Sequence, residues 1–272
     1  MSPEDERSFY VHDLRELERF LRLDPELNIY GIGDLDPFFL PNTCWLARRT
    51  SGVIDAAVLI YSGPGCPTVI CLSRDTAPAA ALLRSVDCLL PRRFHAHLSP
   101  GLGESFGAGW RIDGAGDYLR MALRDRAALI GLDTSPAEEL SPEDADGLLE
   151  FYRQSYPENW FDPRMLETGH YFGVRQDGMI VSAGGIHVVS EKFRVATLGN
   201  IATMPEYRGR GFGSAVTGAV CASLMEGSEH IGLNVRAANI PAISCYRRLG
   251  FETVALFGEF DLMAVNRVEM ED

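Results

Sequence analysis

The segment Arg208-Gly209-Arg210-Gly211-Phe212-Gly213-Ser214 is where this 272-residue sequence most plainly offers chemistry. Gly209, Gly211 and Gly213 lack a Cβ, so the backbone there can turn sharply and approach a ligand closely. A strand-like run, Val195 to Met204, precedes the segment, and a helix-like run, Ser214 to Met225, follows it. A helix start presents unpaired N–H groups with the positive end of the helix dipole behind them. That arrangement suits a pyrophosphate, and Arg208 and Arg210 add positive charge in a chain whose formal net charge is −13. A P-loop is excluded, because it ends in Gly-Lys-Ser/Thr and the segment has no lysine. A Rossmann turn is excluded as well. Its glycines are spaced Gly-x-Gly-x-x-Gly, and the next strand here, Ile231 to Val235, ends in Arg236-Ala237-Ala238-Asn239 instead of a ribose-binding acid. The plain alternative is a strand-to-helix turn with no ligand.

The elements that must position this turn can be read along the chain. Leu14, Leu17, Phe20 and Leu21 recur at helical spacing and predict an amphipathic helix between Val11 and Leu23. Cys44 to Arg48, Ile54 to Tyr61 and Val69 to Leu72 have strand composition, with Gly52 and Gly63-Pro64-Gly65 breaking the chain between them. Ala77 to Leu83 reads as helix. Ser141-Pro142-Glu143-Asp144 is a helix start, with Ser141 as N-cap and Leu148, Leu149 and Tyr152 as the inner face. Tyr171 to Arg175, Ile180 to Val189 and Val195 to Met204 read as strands, the first two joined by a hairpin turn at Asp177-Gly178. Beyond the glycine turn come a strand (Ile231 to Val235), a helix (Ile240 to Leu249) and closing strands. The pattern changes near Arg126, which places an N-terminal α/β domain over 1–125 and a second α/β domain over 126–272. No short-period repeat is visible, although the two halves could share a fold.

Composition bounds the partners. Hydrophobic residues make up 46% of the chain, enough for a full core. The acidic balance repels phosphate backbones, so nucleic acid is not an expected partner. No apolar run reaches the roughly 18 residues of a membrane helix. The acidic start, Met1 to Arg7, lacks the apolar stretch of a secretory signal. The six cysteines include no C-x-x-C pair, so free thiols in a cytoplasmic protein are expected. No metal site is signalled beyond the weak pair His95-x-His97.

The glycine segment does not stand alone. Thr203-Met204-Pro205-Glu206-Tyr207-Arg208-Gly209-Arg210-Gly211-Phe212-Gly213 resembles the Arg/Gln-x-x-Gly-x-Gly/Ala signature of the GNAT superfamily of acyl-CoA N-acyltransferases. A second stretch is similar to that family too: Asn239-Ile240-Pro241-Ala242, then Tyr246-Arg247-Arg248-Leu249-Gly250-Phe251. The resemblance covers residues 195–260 closely and 135–195 more loosely. Around Gly199 to Gly209 it looks closest to glycine N-acyltransferase-like members, some of which carry an extra N-terminal domain of degenerate GNAT-like form. It implies a central mixed, mainly antiparallel sheet flanked by helices, with acetyl-CoA or another acyl-CoA as cosubstrate and a primary amine of a small molecule or peptide as acceptor.

The resemblance also implies roles. Backbone groups of Ile201, Ala202 and Thr203 would pair with the pantetheine arm, and one N–H would stabilise the tetrahedral oxyanion. Arg208, Gly209, Arg210, Gly211, Phe212, Gly213 and Ser214 would hold the pyrophosphate. Asn239 would bond the pantetheine or fix the local turn. Tyr246 is the candidate general acid for the departing thiolate; the alternative is an aromatic on an inner helix face beside Ile243 and Leu249. Many members place a carboxylate on the strand before the glycine turn, whereas here Thr197 and Asn200 stand there. His187 is then a candidate base, the alternative being a packed strand residue. Glu158, Asp162 and Glu167 could act through water or bind a cationic substrate. Tyr156, Trp160, Phe161, Tyr171 and Phe172 would border an acceptor pocket suited to an apolar or aromatic amine. A non-catalytic acyl-CoA-binding or sensing protein remains the rival reading. The N-terminal domain has three open roles: shaping the acceptor pocket, forming a homodimer, or standing as a silent duplicate.

Overall fold

The computed structural model describes residues 6–63 and 65–265. Two compact units emerge. The first holds the chain up to Arg120, Arg236–Ala238 and the chain from Ala255 onwards; the second holds Met121–Val235 and Asn239–Val254.

In the first unit, β1 (Glu6–Tyr10), β2 (Thr43–Thr50), β3 (Val53–Tyr61) and β4 (Thr68–Cys71) pair antiparallel in sequence order. Two helices, α1 (Leu14–Leu21) and α2 (Ile29–Gly33), lie between β1 and β2. Asp13 starts α1 by accepting from the N–H groups of Arg15 and Glu16 at 3.0 and 3.2 Å. Helix α3 (Thr76–Val86) then returns the chain to β5 (Arg93–Leu98), which runs parallel to β4. Leu82, Leu83 and Val86 of α3 pack on Val58, Val69, Phe94 and Ala96 in one core. β5 is an alternating strand: Phe94, Ala96 and Leu98 face the core, while His95 and His97 sit opposite Asp261 and Glu259. Strand β6 (Trp110–Leu123) carries the chain into the second unit, and β12 (Phe251–Ala264) carries it back.

The second unit repeats that order of elements. A short β7 (Glu138–Glu139), then β8 (Phe172–Gln176), β9 (Met179–Ser190) and β10 (Val195–Thr203) pair antiparallel. Helix α4 (Ala145–Ser155) and a 3-10 segment, Pro163–Thr168, lie between β7 and β8. Helix α5 (Phe212–Leu224) connects β10 to the parallel strand β11 (His230–Arg236), and α6 (Ile240–Arg248) leads to β12. The capping box expected at Ser141 is present, with the Ser141 N–H donating to Asp144 at 2.8 Å. Asp177 and Gly178 take the left-handed conformations that a two-residue hairpin needs. The fold is therefore the mixed α/β arrangement expected, with sheets flanked by helices. One face needs correcting. Leu149 is exposed, and Phe151 joins Leu148 and Tyr152 on the inner face of α4. The closing segment is also one long strand, β12, rather than several. All six cysteines are free, and no helix among the described residues is long and apolar enough to cross a membrane.

Candidate active site

The glycine turn lies between β10 and α5, in the second unit. Met204, Tyr207 and Phe212 pack against Val174, Val181 and Val216 beneath it, so the turn is anchored from inside. Gly209 and Gly211 sit at φ 76° and 86°, a conformation that a side chain would strain. Gly211 is the N-cap of α5 and offers the helix no capping side chain, unlike Asp13 at α1 or Asp75 at α3. The N–H groups of Gly209, Arg210 and Gly211 meet no acceptor among the described residues. Those of Phe212, Gly213 and Ser214 belong to the open first turn of the helix. Six consecutive donors thus face outward at a positive helix end. Arg208 is strapped back by its Nε to the Thr203 carbonyl at 3.1 Å, and the Arg210 guanidinium lies 4.9 Å above the Tyr207 ring.

A gap opens beside this turn. β10 pairs with β11 only from Val195–His230 to Leu198–Leu233. β10 goes on to pair with β9 as far as Thr203–Ser182, so its other edge is unpaired with β11 after Leu198. Backbone groups alternate sides along a strand. The Met204 N–H donates to Val181, and the Ala202 carbonyl accepts from Ser182 Oγ at 3.1 Å, so these residues address β9. By that alternation Thr203 turns to the free edge, where its carbonyl is taken by Arg208 Nε and its N–H is left open. The first unit differs at the same place: β4 and β5 stay paired to Cys71–Leu98, and the Ser99 hydroxyl bridges to the Ser73 backbone beyond.

Helix α6 joins the site through the Ser214 hydroxyl and the Cys245 thiol, 3.1 Å apart. Asn239 caps α6, its side chain accepting from the Ala242 N–H at 3.2 Å, which fixes the local turn. Tyr246 follows Cys245 and is buried, its ring 6.0 Å from that of Phe251. Ile243 and Leu249 are buried alongside. The Tyr246 hydroxyl has no hydrogen-bond partner among the described residues, and burial drives its pKa well above the ordinary phenol value. The phenol is therefore protonated, with a proton to give, throughout the neutral range.

Two β-bulges mark the other side of the gap. Thr197 pairs with Val188 and Leu198 with Ile186, which leaves His187 as the extra residue on β9. Gly199 pairs with Gly185 and Ala202 with Ala183, so Asn200 and Ile201 oppose Gly184 alone. Asn200 takes φ 55°, left-handed for a residue other than glycine. The two bulge residues meet, with His187 Nε2 3.2 Å from Asn200 Oδ1. Asn200 is a hub. Its Oδ1 also accepts from the Trp160 N–H at 3.0 Å, its Nδ2 donates to the Tyr171 hydroxyl at 2.9 Å, and its carbonyl accepts from the Tyr152 hydroxyl at 2.7 Å. The His187 ring lies so close over Gly199 that an added Cβ would stand 2.1 Å from it. Burial holds the His187 pKa below the ordinary imidazole value, and the bond to Asn200 opposes this in part.

Sequence reasoning singled out His187 and Tyr246 as candidates but did not foresee the contact of Asn200 with His187. The usable signal was glycine inside strands, which marks bulges and close approach: Gly184, Gly185 and Gly199 lie where the Tyr171 and His187 rings and Ile201 press in. Of the loop acids, Asp162 is engaged by Arg164 at 2.6 Å, which holds its carboxyl below the usual range. Glu158 and Glu167 are exposed, as are Tyr156 and Trp160, whereas Tyr171 is wholly buried. In the first unit, His95 and His97 are held by Asp261 and Glu259.

The acetyltransferase (GNAT) family pattern matches residues 137–251, the stretch that holds the glycine turn, both bulges and Tyr246. A putative [ribosomal protein bS18]-alanine N-acetyltransferase of Bacillus subtilis is 31% identical over 117 residues, covering 40% of this chain and 76% of that protein. The chain belongs to the GNAT acetyltransferase family. Proteins with the GNAT fold use acetyl-CoA as acyl donor. A mycothiol acetyltransferase of Saccharomonospora viridis is 30% identical over 141 residues, 48% of this chain; the match spans only 44% of that relative's length. A tandem GNAT protein from the clavulanic acid biosynthesis pathway shares the fold over 95% of this chain and 98% of its own, at a TM-score of 0.56 and 15% identity.

Proposed function

We propose that this GNAT protein transfers an acetyl group from acetyl-CoA to a primary amine, in the gap between β10 and β11 of the second unit. The observation that carries the reading is the row of N–H groups from Gly209 to Ser214 that meet no acceptor among the described residues, set beside a buried tyrosine whose hydroxyl has no partner there either. Those N–H groups, with Arg208 and Arg210, hold the pyrophosphate. The Thr203 N–H on that edge pairs with the pantetheine, with Ile201 beside it, while Ala202, turned to β9, supports them. Asn239 acts by capping α6, which seats Tyr246.

The chemistry balances as follows. The acceptor arrives as an ammonium and loses a proton to His187. Its lone pair attacks the thioester carbonyl carbon, and a free-edge N–H of β10 stabilises the oxyanion. The C–S bond breaks, the nitrogen sheds a second proton, and Tyr246 protonates the departing thiolate before recovering a proton from solvent. One proton is released per turnover. The neutral imidazole is the working form. The kcat/KM profile is therefore expected to fall as pH drops through a value below the 6.5 of free imidazole. A limb centred above that value would contradict His187 as base.

The first unit reads as a GNAT-like domain that has lost its cofactor gap. It has the same order of elements, but β4 and β5 stay zipped together and Asp75 occupies the start of α3. A carboxylate at that helix end excludes a pyrophosphate. The tandem GNAT neighbour supports this reading. An amine acceptor is supported by one relative, which is named as an alanine N-acetyltransferase of a ribosomal protein. The test is thiol release from acetyl-CoA across a panel of amino acid amides, aromatic amines and amino sugars. Amine-dependent release supports transfer. Tight acetyl-CoA binding with no release would favour the sensing protein instead.

A further inference from the structure

We infer that Asn200 is a positioning residue: it holds neutral His187 as the Nε2–H tautomer, leaving the Nδ1 lone pair to take the proton of the acceptor amine. The proton-taking role rests on the acetyl-transfer reading; the tautomer does not.

The assignment follows from a donor whose identity is unambiguous. The Trp160 backbone N–H can only donate, and it points to one side-chain atom of Asn200 at 3.0 Å. That atom must be the amide oxygen. The other side-chain atom is then the amide nitrogen, and it faces the Tyr171 hydroxyl at 2.9 Å. The Tyr171 hydroxyl accepts there and donates onward, to Met165 Sδ at 3.3 Å. His187 Nε2 meets the same oxygen at 3.2 Å, and two acceptors cannot share a hydrogen bond. Nε2 therefore carries the hydrogen, and in the neutral ring Nδ1 carries the lone pair.

Both partners are held in place from several sides. Tyr152, from α4, ties down the Asn200 carbonyl, and Gly199 leaves space for the imidazole to lie flat on β10. Two adjacent strands each break their ladder at this point, and together the bulges bring His187 and Asn200 side by side. A packed strand histidine would need neither bulge. The groups that face His187 are Asn200 from β10 and, through it, the Tyr171 and Tyr152 phenols, which burial keeps protonated. Among the described residues no carboxylate or cation pairs with His187; burial lowers its pKa and the Asn200 bond raises it.

Nitrogen NMR of the His187 imidazole in the full chain tests this, with thiol release from acetyl-CoA to L-alaninamide and 2-phenylethylamine measured alongside. The wild type is expected to show a protonated Nε2 and an unprotonated Nδ1 at neutral pH. Asn200→Asp keeps the shape and the acceptor oxygen but adds a negative charge. It is expected to raise the His187 pKa by about one unit or more with the same tautomer, and the acidic limb of kcat/KM should move up with it. A wild-type ring protonated at Nδ1 would overturn the inference without need of any variant. So would an Asn200→Asp protein whose His187 titrates as in wild type, or whose acidic limb stays put while His187 moves. If wild type binds acetyl-CoA but releases no thiol to either amine, the proton-taking role is overturned together with the transfer reading, and the spectrum alone judges the tautomer.

Discussion

Tyr246→Phe is expected to lower kcat by about 10²- to 10⁴-fold, the range for removing a positioned general acid. That corresponds to about 2.7–5.5 kcal/mol of barrier. Acetyl-CoA affinity should hardly change, because the lost hydroxyl acts on sulfur only as the C–S bond breaks. Stability should also be preserved. The ring is buried beside Phe251, and the hydroxyl has no partner among the described residues to lose. Steady-state thiol release and a calorimetric titration of the same preparation separate the two quantities. An unchanged kcat would remove Tyr246 as the acid and leave it as core packing.

The second large effect is expected from Gly213→Asp. Gly213 is helical and lies in the first turn of α5, and an added Cβ would meet Thr203 Oγ1 at an ordinary 3.4 Å. A carboxylate at a helix start is favourable by about 0.3–1 kcal/mol, and glycine is a poor helix former, so Tm should hold or rise. The same charge would stand where the pyrophosphate sits. At 4 Å in a partly wet site, two like charges cost about 4 kcal/mol, so acetyl-CoA should bind at least ~100-fold more weakly. The first unit already carries a carboxylate at a helix start, Asp75, which as N-cap of α3 accepts from the Ala77 N–H. Stability and ligand affinity are thus predicted to move in opposite directions. A protein that keeps its affinity for acetyl-CoA would show that the helix end is not the phosphate site.

Much of the second unit was legible because its signals are local. The capping box at Ser141, the Asp177-Gly178 hairpin and the glycine turn each lie within a few residues, and the structure has all three. Leu149 was misread because the buried stripe of α4 runs through Leu148, Phe151 and Tyr152, at i, i+3 and i+4, and Leu149 falls outside it. In the first unit, the alternation of Phe94, Ala96 and Leu98 was present but broken by charged and histidine neighbours, so β5 was passed over. The bulges left only an indirect trace in the sequence, the strand glycines Gly184, Gly185 and Gly199. A bulge is a mismatch between two strands, and register between β9 and β10 is set by packing over many residues. His187 could be named as a candidate from its chemistry, but its partner could be found only once the two ladders were laid side by side. The closed β4–β5 pair was hidden for the same reason, since a gap and a zipped pair differ in pairing and not in composition.

The glycine turn of the second unit is expected to be the one acyl-CoA site of this chain. Calorimetric titration of the intact protein with acetyl-CoA, with NADH and ATP as controls, should show saturable binding at one acetyl-CoA per chain and no comparable binding of either control. Two sites per chain would contradict the reading of the first unit as closed. No binding at millimolar acetyl-CoA would contradict the pyrophosphate site, and the proposed acetyl transfer would fall with it.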